Sequence, residues 1–179
     1  SYDPSGLVPV INLASSRAVI VAKANAPFSN FKEMVAYAKA NPGKVNFGTW
    51  GPASTPDLQR QWINRSAGVD LVSVPYKGVA GGTMPAILGG EIDATLFTIG
   101  QIQSQIQAGK VKPIVVLGDK RWPGLPQVSS LAEEGADPNL PSAWGVYAPP
   151  FTPAPVVQRL NAEVAKAPKD PAGAEFLPS

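Results

Sequence analysis

Short apolar runs alternate along the chain with segments whose apolar residues recur at helical spacing. The run AVIVA at residues 18–22 is typical of a buried strand. Similar runs predict strands at residues 45–47, 71–74, 91–98, 112–117 and 143–148. The alternation of these strands with helical segments predicts an α/β fold with a largely parallel sheet.

The helical segments are marked by their start signals and by their apolar stripes. The first begins near Asn30, and Glu33 follows three residues later in an arrangement like a capping box. The second carries Leu58, Trp62 and Ile63, which we expect to point inward. Further helices are predicted at residues 83–88, 99–108, 129–134 and 153–165.

The composition is that of an ordinary soluble globular chain. With 179 residues, 44% of them hydrophobic, the chain can bury the core of one medium domain or of two small lobes. The net charge is only +2, and the lysines and arginines are scattered, which argues against a nucleic-acid partner. No apolar stretch approaches the roughly 18 residues that a membrane-spanning helix needs.

The sequence contains neither cysteine nor histidine. Their absence removes thiolate and histidine metal sites, cysteine nucleophiles and the Ser-His-Asp triad. The motifs G-x-G-x-x-G, G-x-x-x-x-G-K-[ST] and G-x-S-x-G are missing as well. We therefore predict a binding protein without a metal or a cofactor, rather than an enzyme.

The loop at residues 48–55 leaves a predicted strand and enters a predicted helix. Backbone N–H groups and the positive end of the helix dipole converge at such a junction, where an anion can bind. Its glycines allow close approach to the backbone and its hydroxyls can donate hydrogen bonds. The candidates in this loop are Gly48, Thr49, Gly51, Ser54 and Thr55. In the alternative interpretation this is an ordinary turn, in which Ser54 or Thr55 only caps the helix.

Four further residues could contribute to the same crevice, each with a structural alternative. Tyr76 and Lys77 follow the next strand, where they could supply a hydroxyl and a charge or form a surface turn. Asp93 could select a ligand amine or hydroxyl, or it could have a structural role. Trp50 could stack on a ligand or close the loop against the protein.

Several motifs resemble the Bug-type receptors of tripartite tricarboxylate transporters. The resemblance begins with AKANPGK at residues 38–44 and continues through the loop at 48–55, VPYKG at 74–78 and LGGEID at 88–93. Later matches are KR at 120–121, LP at 125–126, LAEEG at 131–135, the segment 144–149 and TP at 152–153. Each motif is short, but they occur in the same order and spacing over nearly the whole chain.

The resemblance implies a two-lobed type II periplasmic-binding-protein fold that closes on a small carboxylate. Residues 18–117 would form the bulk of one lobe, residues 1–17 and 144–179 part of the second, and residues 118–143 a crossing or hinge segment. One strand-to-helix loop from each lobe would hold the ligand, and the loop at 48–55 matches one of them. Its counterpart would precede Ser1, so we expect an incomplete chain. The implied location is the periplasm, and the implied partners are membrane transporter subunits.

Two departures from the family pattern concern the same loop. Pro52 and Ala53 replace a more glycine-rich sequence, and Asp57 stands where many members carry histidine. A carboxylate pointing into an anion site would weaken the binding of a carboxylate ligand. Two other functions remain open: an α/β enzyme that acts on a small carboxylate through Lys77 or a carboxylate side chain, and a sensory binding domain of the same fold.

Overall fold

The computed structural model describes residues 6–136 and 142–166. In these ranges the strands are β1 (Val8–Ser16), β2 (Ala18–Lys23), β3 (Val45–Thr49), β4 (Leu71–Pro75), β5 (Ala94–Thr98), β6 (Val111–Val116) and β7 (Ser142–Ala148). The α-helices are α1 (Phe31–Ala40), α2 (Thr55–Ala67), α3 (Met84–Gly89), α4 (Ile99–Gln107) and α5 (Ala154–Val164), and a π-helical turn at Val79–Thr83 precedes α3. None of these helices is both long enough and apolar enough to cross a membrane.

The chain divides into two compact units, and it passes between them twice. The larger unit is Arg17–Ser142, and the smaller consists of Ser1–Ser16 and Ala143–Ser179. The assignment of such units to the lobes of a complete receptor stays a prediction.

The larger unit is built on a five-stranded sheet with the order β4-β3-β5-β2-β6. Strand β3 pairs in parallel with β4 and β5, whereas β2 pairs antiparallel with β5 and β6. The sheet is therefore mixed: four strands run in one direction and β2 runs in the other, so the prediction of a largely parallel sheet fails only at β2. An apolar run such as β2 shows that a strand is buried, but it does not show the direction of its neighbours.

Helices cover both faces of this sheet. On one face Ile20 of β2 belongs to a core cluster with Met34 of α1 and Ile63 of α2. On the other face Val19 of β2 belongs to a second cluster with residues of α3 and α4, among them Ile87. Because successive side chains of a strand point to opposite faces, strand β2, which is buried from Ala18 to Ala22, supplies both cores.

The two helix predictions with named residues had different outcomes. The start of α1 is confirmed, because the Asn30 side chain accepts a hydrogen bond of 2.9 Å from the Glu33 amide. In α2 Ile63 is fully buried as expected, but Leu58 is 47% exposed. The inward stripe of α2 follows positions 56, 59 and 63, at helical spacing, and Leu58 lies off this stripe.

Residues 118–136 pack against β6, and their role as a crossing segment in a complete receptor stays a prediction. The Val116 amide donates to the Ser129 carbonyl at 2.9 Å, and the Leu131 amide donates to the Val116 carbonyl at 2.9 Å. The side chains of Leu125, Val128 and Leu131 are buried. This stretch belongs to the larger unit.

The helix predicted at residues 129–134 is absent from this described stretch, which forms turns. The Glu133 carboxylate accepts a hydrogen bond of 2.8 Å from the Ser130 amide, as it would at the start of a helix. The chain then reaches Gly135 in a left-handed conformation, with φ of 73°. That residue ends the turn before a second helical turn can form.

The smaller unit contains the two-stranded sheet of β1 and β7, together with α5. The Asn161 side-chain amide of α5 donates to the Val10 carbonyl of β1 at 2.7 Å. No residue of α5, Ala154–Val164, is buried. Strand β1 was not among the predicted strands, whereas β7 and α5 were.

Truncation of two leucines tests the packing of residues 118–136. We expect Leu131→Ala to lower the free energy of unfolding by about 2–5 kcal/mol, because its buried side chain would leave a cavity. The matched change Leu58→Ala, at an exposed position, should cost less than about 1 kcal/mol. Urea unfolding of both variants measures the difference. Equal costs would show that residues 118–136 do not belong to the core.

Candidate functional site

The carboxyl ends of three strands meet at one edge of the larger sheet. Strand β3 pairs with β4 so that Thr49 lies beside Pro75, and β3 also lies beside β5. The segments that follow β3 and β4 are therefore neighbours, and the Tyr76 amide donates to the Thr49 carbonyl at 2.8 Å. Crevices at the carboxyl ends of parallel strands are common ligand sites in α/β sheets.

The first two candidate residues belong to strand β3 and are buried. The Thr49 Oγ1 atom lies 3.0 Å from Ser73 Oγ, so its hydroxyl is already paired. A methyl group at Gly48 would overlap Ile92 and lie 3.3 Å from the Thr83 methyl. The absence of a side chain at Gly48 is therefore required for packing, and its role in ligand approach stays a prediction.

The turn at 50–54 is closed by its own polar groups. The Ser54 hydroxyl donates to the Gly51 carbonyl at 2.7 Å and accepts from the Trp50 amide at 3.3 Å. Gly51 has a φ of 103°, which disfavours any residue with a side chain, although the space around it is open. In the part of the chain that the structure describes, the buried indole Nε1 of Trp50 has no hydrogen-bond partner.

Helix α2 begins at Thr55, directly after this turn. The first amides of a helix have no hydrogen-bond partner within the helix. The first three residues of α2 are Thr55, Pro56 and Asp57, and proline has no N–H, so the free amides at these positions are those of Thr55 and Asp57. The Thr55 side chain is exposed, and no partner for its hydroxyl is found among the described residues. Of the three hydroxyls proposed from the sequence, that of Thr55 is the one left for a ligand.

Asp57 does not point toward solvent, because its carboxylate is buried and paired within the protein. Its oxygens accept hydrogen bonds from Arg60, Gln61 and the Ala53 amide. Burial raises the pKa of Asp57, but these hydrogen bonds and the positive charge of Arg60 outweigh burial and hold the pKa below its ordinary value. The negative charge of Asp57 in the first turn of α2 is therefore compensated by Arg60 in the next turn.

Tyr76 and Lys77 lie at the same sheet edge but have different surroundings. The Tyr76 hydroxyl donates to Glu91 Oε2 at 3.4 Å. Burial, together with the nearby negative charge of Glu91, raises the pKa of Tyr76. The side chain of Lys77 is exposed. The structure thus places Lys77 where it can add positive charge to this edge, whereas the Tyr76 hydroxyl is directed to Glu91.

Asp93 lies at the opposite end of the sheet from the other candidates. Its carboxylate contacts the Lys23 ammonium at 2.7 Å and accepts from the Asn46 amide at 2.8 Å. Asn46 is near the start of β3, whereas the candidate loop follows the end of that strand. These contacts favour the structural alternative for Asp93, because Asp93 precedes β5 and β5 runs parallel to β3.

Sequence reasoning missed two residues at the crevice edge. Thr98 ends β5, and its side chain and that of Gln101 form a capping box at the start of α4. Arg17 immediately precedes β2, whose first residue, Ala18, pairs with Thr98. The sequence of residues 98–101 carries a capping signal. No sequence signal places Arg17 there, because its position follows from the antiparallel pairing of β2.

The ion pair of Asp57 predicts a dependence of stability on pH. A carboxylate whose pKa is lowered by folding stabilises the protein above its unfolded pKa, and the stabilisation is lost as the pH falls through the folded pKa. The ordinary value is 3.8. We expect the stability difference between wild type and Asp57→Asn to be full at neutral pH and to shrink below pH of about 4. Urea unfolding across this range measures it, and a constant difference would contradict the assignment.

The position of Asp93 predicts that its replacement lowers the stability of the protein without changing its affinity for a ligand. Asp93→Ala removes the partners of Lys23 and of the Asn46 amide, at a cost of about 1–3 kcal/mol in the free energy of unfolding. Ligand affinity should not change, because the residue lies at the other end of the sheet. Calorimetric titration together with urea unfolding separates the two effects. A loss of affinity at unchanged stability would return Asp93 to the ligand site.

Comparison with known proteins gives a family, relatives and solved structures. The family model described as a tripartite tricarboxylate transporter family receptor matches residues 1–179. A UPF0065 protein of Bordetella pertussis is 30% identical over 172 residues, which cover 96% of this chain and 53% of that protein. The chain thus spans about half the length of such relatives.

Two similar structures contain small dicarboxylates. MatC from Rhodopseudomonas palustris with bound malate has a TM-score of 0.79 and 28% identity, covering 93% of this chain and 57% of that one. A second R. palustris protein, solved with adipate, has a TM-score of 0.77 and 27% identity, covering 98% of this chain and 59% of that one.

Proposed function

The chain belongs to the tripartite tricarboxylate transporter receptor family, and we propose that it captures a small carboxylate for a membrane transporter. The family and the fold are those of a solute-binding receptor. Periplasmic location and docking to membrane transporter subunits are the parts of this proposal that rest on the family alone.

One observation at the sheet edge carries the proposal: the donors around the start of α2 exceed the acceptors that the described residues provide. Donors without a partner there include the Thr55 amide and hydroxyl, the Asp57 amide and the Trp50 indole. Buried donors are normally hydrogen-bonded, so an unpaired indole N–H beside a strand end suggests a ligand acceptor. A carboxylate supplies two acceptor oxygens and the negative charge that a helix N-terminus favours.

Charge at this edge supports an anionic ligand over a cationic one. The carboxylate of Asp57 is compensated by the ion pair with Arg60, at 2.8 Å. Lys77 is exposed on the neighbouring segment and can add positive charge. The ligands of the two similar structures, malate and adipate, are both dicarboxylates, which makes four- to six-carbon dicarboxylates the first compounds to test.

Removal of the Thr55 hydroxyl tests the proposed contact. A hydrogen bond to a charged group contributes about 1.5–3 kcal/mol, so Thr55→Val should weaken binding roughly ten- to a hundredfold. Gly51→Val should be at least as harmful, because its φ of 103° strains a residue with a side chain and the turn would shift. Ser66→Ala, at the other end of α2, is the control and should bind as wild type does.

Calorimetric titration of the full-length protein with malate, adipate and related dicarboxylates measures these affinities. The sequence alone leaves open whether the hydroxyl of Thr49, Ser54 or Thr55 contacts the ligand, so Thr49→Ala and Ser54→Ala belong to the same test. Because their hydroxyls are paired within the protein, we expect these changes to act through the stability of the loop instead. Unchanged affinity in both Thr55→Val and Gly51→Val would place the ligand elsewhere.

A further inference from the structure

Two helices of the larger unit carry a carboxylate at the third helical position, in different surroundings. In α1 the exposed Glu33 accepts hydrogen bonds of 2.8 Å from the Ser29 amide and the Asn30 side chain, so it caps its own helix. In α2 the corresponding residue is Asp57, which is 4% exposed. Asp57 reaches back to the turn that precedes the helix, so it can act on the shape of the candidate ligand loop.

The Asp57 carboxylate accepts four hydrogen bonds, two at each oxygen. Oδ2 accepts from the Ala53 amide at 3.1 Å and from Gln61 Nε2 at 2.8 Å. Oδ1 accepts from Arg60 Nε at 3.2 Å and from Arg60 Nη2 at 2.8 Å. Both oxygens must therefore be acceptors. An asparagine at this position would direct its NH₂ group at a donor in either orientation of the amide.

The hydrogen bond from Ala53 holds a backbone conformation that alanine disfavours. Ala53 has a φ of 60°, in the left-handed region, where its Cβ crowds the backbone. Pro52 and Ala53 are both exposed, so packing contributes little to holding this conformation. The contact with Asp57 is the feature of the described residues that fixes the Ala53 amide in place.

The carboxylate is itself fixed to the sheet. Arg60 Nη1 donates to the Leu71 carbonyl at 2.8 Å, at the start of β4. The Asn64 side chain accepts from the Leu71 amide at 2.9 Å and donates to the Leu71 carbonyl at 3.1 Å. A continuous set of polar contacts therefore connects the sheet, through Arg60 and Asp57, to the turn at 50–54.

We infer that Asp57 is a positioning residue for ligand binding: it holds the strained turn at Ala53, so that α2 begins at Thr55 with its first amide unpaired. This inference rests on the proposed function, because it assumes that the turn contacts a ligand. From the sequence, Asp57 would weaken the binding of a carboxylate only if it pointed into the anion site, whereas its carboxylate is paired within the protein. Its charge is compensated by Arg60, and its role is to shape the loop.

The test combines one disruptive change, one rescuing change and one matched control in the full-length protein. Asp57→Asn should weaken binding of the tightest-bound dicarboxylate about tenfold or more, because the turn loses its preferred conformation. Adding Ala53→Gly should restore most of the affinity, since glycine adopts positive φ without strain. Glu33→Gln changes the equivalent carboxylate of α1 and should leave affinity within about twofold of wild type.

A purely structural role for Asp57 would not be rescued by glycine at position 53, because glycine adds no contact to the folded protein. Affinity within about twofold of wild type in Asp57→Asn, or no recovery in the double variant, would overturn the inference. Hydrogen exchange of the Ala53 amide provides a readout that needs no ligand. Its exchange should accelerate at least about tenfold in Asp57→Asn and not in Glu33→Gln.

The two readouts separate failure of the inference from failure of the proposed function. If the wild type binds none of the dicarboxylates, the proposed function fails as stated, and the exchange of the Ala53 amide still shows whether Asp57 holds the turn. If the wild type binds and the Ala53 amide exchanges equally fast in wild type and Asp57→Asn, the inference is wrong although the proposed function stands.

Discussion

Parallel pairing of β3 with β4 and β5 is the constraint on which the candidate site depends. Because these strands run in the same direction, their carboxyl ends meet at one edge of the sheet, and the segments after β3 and β4 become neighbours. The same pairing sends Asp93, which precedes β5, to the opposite end. The antiparallel strand β2 adds its amino end to the first edge, which brings Arg17 beside Thr98.

Within that edge, internal hydrogen bonds select which donors remain for a ligand. The hydroxyls of Thr49 and Ser54 form hydrogen bonds with the Ser73 hydroxyl and the Gly51 carbonyl, so they stabilise the loop and its surroundings. Gly48 is required for core packing, whereas Gly51 is required for its backbone conformation. The donors left for the proposed ligand are backbone and indole N–H groups and the Thr55 hydroxyl, a set that suits a carboxylate able to accept several hydrogen bonds at once.

The sequence was sufficient where a local signal determines the structure. Asn30 and Glu33 predicted the start of α1, and both side chains make the expected contacts. The predictions that Leu58 points inward and that residues 129–134 form a helix were wrong for related reasons. An apolar or capping pattern indicates a helix, but it does not show which face of the helix is buried or how long the helix is. Both depend on neighbouring residues, such as Gly135 for the segment at 129–134. Asp57 and Arg60 are three residues apart in one helix, a spacing that allows an ion pair. The inward orientation of the two side chains depends in addition on the contacts of Asp57 with Ala53 and of Arg60 with Leu71.

A crystal structure of the full-length protein with a bound dicarboxylate tests the central claim most directly. We predict that one carboxylate oxygen lies within about 3 Å of the Thr55 amide nitrogen or of Trp50 Nε1, with Asp57 still paired to Arg60. A ligand whose carboxylates are held by other residues, with both of these donors still unpaired, would contradict this prediction.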